Sequence, residues 1–145
     1  MIARAAVLAL VFAAASTAAH AEPHKEQYEL QERCGKRTEQ MYENEKRGKT
    51  GANYYTYQSH YNPTRDKCFY LPKENIITGS LGSLWIDLVD ANENKTYGQF
   101  IAHWLEVNGL KQSLSVQVCY VQGETCSSES EWQELIKPYM EDPRP

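Results

Sequence analysis

The sequence predicts an α+β fold: an antiparallel sheet of about five strands, flanked by an N-terminal and a C-terminal helix and held by two disulfides. Three observations carry this. Apolar residues recur at helical spacing near the two ends of the chain body, while the middle has period two between clusters of Asn, Asp, Gly and Pro. There is no strand-helix-strand alternation, which points away from a parallel sheet. Cys34, Cys68, Cys119 and Cys126 follow a secretory leader, which places them where disulfides form.

The leader covers residues 1–21: Arg4, an apolar run over residues 5–15, then Ala19-His20-Ala21, with cleavage expected after Ala21. Of 145 residues this leaves 124, residues 22–145, a length suited to a single disulfide-stabilised domain. Arg4 departs with the leader, so the formal net charge moves from −4 to −5. Such a chain has no electrostatic reason to bind nucleic acid. The apolar run is about eleven residues against the roughly 20 needed to cross a bilayer, so no stable membrane insertion is expected after cleavage. No cysteine follows the cleavage region to carry a lipid. The Ala-rich leader reads as bacterial, which puts the mature protein in the periplasm or outside the cell. Asn94-Lys95-Thr96 is a glycosylation sequon that most bacteria leave unused.

Each element follows in turn. Residues 25–47 are mostly good helix formers, with Leu30, Cys34, Met41 and Tyr42 on one side. Glu29 and Arg33, Glu32 and Lys36, and Glu43 and Arg47 stand four apart in the favourable order, the mark of a solvated face. Gly35 interrupts the pattern at a cost of about 1 kcal/mol, and is expected to let another backbone approach beside Cys34. Gly48 and Gly51 end the helix. Residues 54–61 and 67–71 are strand-like around the turn formers at 62–66, giving a first hairpin. Pro72 and the run Gly79-Ser80-Leu81-Gly82-Ser83 isolate a short extended piece at Ile76 and Ile77. Residues 84–89 and 95–105 flank Asp90-Ala91-Asn92-Glu93-Asn94 as a second hairpin. After Asn108-Gly109, Leu114, Val116, Val118 and Tyr120 alternate with polar residues in a half-buried strand that Gly123 ends. Ser128 with Glu131 starts a helix over residues 129–140 whose inner side carries Trp132, Leu135, Ile136 and Tyr139. Pro138 should kink or weaken its last turn, and Pro143 and Pro145 make the tail irregular. The two helices are expected to cover one face of the sheet.

Four cysteines allow three pairings, which spacing cannot separate. The pairing favoured here is Cys34 with Cys68 and Cys119 with Cys126. Closing about 35 residues stabilises by roughly 3–4 kcal/mol in the chain-entropy model, and closing about eight by roughly 2.5 kcal/mol. There is no Cys-x-x-Cys, so neither redox chemistry nor zinc is expected.

Tyr54, Tyr57, His60, Tyr61 and Asn62 form the candidate binding site, because aromatic bodies and polar tips concentrate at one hairpin end. On an extended strand Tyr55, Tyr57 and Tyr61 share one face and Tyr54 and His60 the other. One set then packs and the other can meet carbohydrate, peptide or protein. Packing and turn structure are the plainer reading of all five. His60, His103, Asp66 and Asp87 are the residues able to form an acid–base pair, though nothing in their spacing requires proximity. No Gly-x-Ser-x-Gly elbow and no phosphate-cradling loop occurs. Trp85, Trp104 and Trp132 are expected in the core.

The run Tyr57-Gln58-Ser59-His60-Tyr61-Asn62 followed by Lys67-Cys68-Phe69, with Cys34 upstream in a helix, resembles small exported bacterial proteins of uncharacterised function. The resemblance spans roughly residues 34–71, with a looser echo over 126–140. It implies a bacterial envelope location and carries no activity with it.

The function expected is non-enzymatic: a periplasmic or secreted module, without cofactor or metal, that binds another envelope or secreted protein through the first hairpin or an exposed sheet edge. One rival is a small secreted hydrolase using His60 or His103 with an Asp, which requires those side chains to converge in a concave pocket. Another is an inhibitor or immunity protein of a secreted enzyme, for which acidity, small size and disulfides are suited.

Overall fold

The structure is a computed structural model that describes residues 23–47, 54–108 and 110–142. The expected leader, Gly48, Gly51, Gly109, Pro143 and Pro145 lie outside the described residues, as do the side chains of Ser113 and Leu114. The element order is α1 (Pro23–Lys46), β1 (Tyr54–Asn62), β2 (Lys67–Thr78), β3 (Leu81–Asp90), β4 (Lys95–Val107), β5 (Leu110–Val121), β6 (Glu124–Thr125) and α2 (Glu129–Met140). The strands form one antiparallel sheet in the order β1-β2-β3-β4-β5-β6, so every strand pairs with its neighbour in sequence.

Two boundaries differ from the sequence reading. β2 runs through Pro72 to Thr78 and absorbs Ile76 and Ile77. Pro72 is tolerated because β2 pairs with β1 there, Tyr57 opposite Pro72, while the register to β3 passes from Tyr70–Val89 to Lys73–Ile86 and leaves Pro72 out. The sixth strand is the two-residue β6, turned back on Tyr120 and Val121 through Gln122 and Gly123, both at positive φ.

The two helices lie on opposite faces of the sheet, not on one. Alternate residues of β2 point to opposite sides, and they enter different clusters. Phe69 and Leu71 pack with Leu84, Ile86, Phe100, Trp104 and the α2 residues Trp132, Ile136 and Tyr139. Cys68 and Tyr70 instead pack with Tyr61 and with Leu30, Cys34, Met41 and Tyr42 of α1. Amphipathic periodicity tells a helix which side to bury, but not which face of the sheet receives it.

Both disulfides form with the favoured pairing, with Cα–Cα distances of 5.4 Å for Cys34–Cys68 and 5.0 Å for Cys119–Cys126. The first pins α1 to β2. The second closes the β5–β6 hairpin just before α2. Two such bonds mark an oxidising compartment. Among the described residues no helix is long and apolar enough to cross a membrane.

Local chemistry accounts for the helix details. Ser128 Oγ accepts from the Glu131 amide at 3.2 Å, and Glu131 returns its carboxylate to the Ser127 amide at 2.7 Å. Thr38 is buried in α1, its hydroxyl donating to the carbonyls of Cys34 and Gly35 at 3.1 and 3.0 Å. Gly35 itself faces open space where a Cβ would project, so the expected close backbone approach is not what places glycine there.

Candidate functional site

The first hairpin sorts its tyrosines as alternation requires. Tyr57 packs between Tyr42 of α1 and Tyr70 of β2 in tilted ring contacts, with centroids 4.7 and 5.7 Å apart. Burial pushes its phenol upward in pKa. Tyr61 is buried, and its hydroxyl donates to Asp66 at 2.6 Å. That bond, with burial second, raises the Tyr61 pKa to about 12. Asn62 is 1 % exposed, and its amide donates to the carbonyls of Pro138 and Tyr139 in the last turn of α2. Tyr61 and Asn62 are therefore held mainly in internal contacts. Tyr54 is 70 % exposed on the other side of β1.

His60 shares that side. Its Nε2 is buried without a hydrogen-bond partner and lies 3.6 Å from Asp142 Oδ1. Burial lowers its pKa, and Asp142 works weakly against the shift. His103 lies on the opposite sheet face, where its Nδ1 is 2.9 Å from Ser83 Oγ. The two histidines do not converge. Asp66 serves Tyr61, and Asp87 accepts from Gln99 at 2.9 Å, so the acid–base pairs considered for the hydrolase reading are not those that form.

The two long sheet edges are treated differently. On β1, the Tyr61 amide donates to Gln31 Oε1 at 2.8 Å, and the Tyr42 hydroxyl donates to the Tyr55 carbonyl at 3.1 Å. Side chains of α1 thus occupy outward backbone groups of this edge. On β5, β6 covers Tyr120 and Val121 alone, and no strand among the described residues covers the outer side of residues 110–118. Leu105, Val107 and Leu110 beside that edge are exposed at 47 %, 43 % and 66 %.

The face that carries α1 is covered by it over β1, β2 and the Val89 end of β3. Farther across, this face of β3 and β4 mixes the half-buried polar side chains Ser83, Asp87, Gln99 and His103 with buried Ile101 and exposed Leu81 and Leu105. Trp85 stands among them 41 % exposed, whereas Trp104 and Trp132 are buried in the α2 core as expected. The sequence reading placed Trp85 in the core too. A signal against this was present, because Leu84, Ile86 and Leu88 claim the buried side of β3 and leave Trp85 in register with Ser83 and Asp87.

Among the described residues no three His, Cys, Asp or Glu side chains gather to hold a metal ion. Compared with family models, curated proteins and solved structures, the chain matches none of them.

Proposed function

We propose that this is a non-enzymatic binding module of the bacterial periplasm or the secreted fraction, which accepts a β-strand of another envelope or secreted protein along the outer side of β5. The observation that supports it is the contrast between the edges: Gln31 and Tyr42 occupy outward backbone groups of β1, and among the described residues no strand covers the outer side of residues 110–118 of β5. An edge of this kind supplies backbone hydrogen bonds, and exposed Leu105, Val107 and Leu110 supply apolar contact for alternate side chains of the guest. The leader expected over residues 1–21 and the resemblance to exported bacterial proteins support the compartment, and the two disulfides agree with it.

The test joins capture with location. Protein captured from envelope extract should slow hydrogen exchange at the amides of residues 110–118, and Val107→Glu with Leu110→Glu should weaken capture at least about tenfold at unchanged Tm. Capture that leaves those amides unprotected and ignores the double substitution would remove the reading.

A further inference from the structure

We propose that Trp85 is the platform of a second site, separate from the β5 edge, that binds a neutral glycan chain. Trp85 sits on β3 opposite Glu74 of β2 and Ile101 of β4. One residue pair away along the strand, on the same face, Ser83 Oγ lies 2.9 Å from His103 Nδ1. One pair away in the other direction, Gln99 Nε2 donates to Asp87 at 2.9 Å. The half-open indole therefore has a hydrogen-bonded polar pair on each side, each row about 7 Å from it. Glu74, Trp85 and Asp87 also line a cleft of about 420 Å³ that runs to Met41 and Glu45 of α1.

This arrangement selects among ligand classes. An apolar ligand or a protein interface core would have to cover the carboxylates of Glu74 and Asp87, and interface cores are depleted in carboxylates. A cation would be drawn to those carboxylates but would leave the Ser83–His103 row unused. A pyranose ring satisfies both demands. Its C–H face lies on the negative π face of the indole, and its rim of hydroxyls both donates and accepts, matching carboxylate, carboxamide, imidazole and hydroxyl at once. The distance from Ser83 to Asp87 along β3 is about 13 Å, which suits a run of linked sugars more than one. The site and the β5 edge use different residues, so either reading can fail without the other.

Trp104 and Trp132 are buried, so a ligand-induced change in tryptophan fluorescence reports on Trp85. The probes are neutral hexasaccharides covering α- and β-glucan, mannan, galactan and N-acetylglucosamine repeats, with oligolysine as the cationic control. At least one hexasaccharide should give a saturable change that persists in about 0.5 M sodium chloride. Trp85→Ala should weaken it at least about tenfold. Should Trp85→Ala fold poorly, Ser83→Ala with Gln99→Ala gives the same comparison with the indole intact. Flat titrations across the panel, an affinity indifferent to both sets of substitutions, or binding confined to oligolysine and lost in salt would each overturn the proposal.

Discussion

The side-chain amide of Asn62, at the end of β1, donates to the carbonyls of Pro138 and Tyr139 at 3.0 and 3.2 Å and so closes the last turn of α2. Those carbonyls have no partner within the helix; that of Tyr139 is buried, and that of Pro138 also accepts from Arg65 Nε at 3.4 Å. The Asn62 carbonyl oxygen meanwhile accepts from the Arg65 amide at 3.1 Å and shapes the β1–β2 turn. One side chain joins the first hairpin to the final helix, 76 residues away in the chain.

Asn62→Leu should therefore cost about 1–3 kcal/mol, since it leaves the buried Tyr139 carbonyl unpaired. A urea titration reads this as a lowered midpoint at unchanged slope. A midpoint equal to that of the unaltered protein would show that the clamp carries no stability.

Two glycines should respond in opposite directions. Gly35→Ala projects into open space on a helix, and should stabilise by about 0.5–1 kcal/mol. Gly82→Ala would drive its Cβ into the Trp104 ring, buried in the α2 core, and should destabilise by at least about 1–3 kcal/mol. Paired thermal melts check both, and a shift of the same sign in the two variants would contradict the packing described.

His60 should make stability fall with acid. Its folded pKa lies below the ordinary histidine value, so the unfolded chain binds the proton first as pH drops. The contribution is fully present above the unfolded value and is lost on acidification through the window down to the folded value. His60→Asn should flatten this part of the pH profile in urea midpoints taken between about pH 5 and pH 8. An identical slope in the variant would place the acid sensitivity elsewhere.

Reduction should separate the two disulfides by loop length. Replacing Cys34 and Cys68 by Ala removes a closure of sequence separation 34 and should cost about 3–4 kcal/mol, whereas replacing Cys119 and Cys126 removes one of 7 and should cost about 2.5 kcal/mol. Denaturant titration without reductant measures both. The reverse order would mean that the tie between α1 and β2 is not governed by chain entropy.

Much of this architecture is readable from local pattern, because local pattern reports local physics. The Ser128–Glu131 pair announced α2, and the period-two run ending at Tyr120 announced β5. The candidate site was less readable. Asn62 and Tyr61 stood out as polar and aromatic residues at a turn, which a ligand site and an internal clamp share; only the fold brings Pro138 and Asp66 to them. Lying in a regular element predicts a buried Trp85, but the alternation of β3 places it on the polar side.

What the sequence alone determined is the order and kind of the elements, because helical spacing, alternation and turn residues act over a few positions. The pairing of the cysteines, the placing of α1 and α2 on opposite faces, the sealing of one sheet edge and not the other, and the exposure of Trp85 were decided by tertiary structure. Each depends on which surfaces distant segments cover, and burial is a property of the assembled sheet that no short window of residues contains.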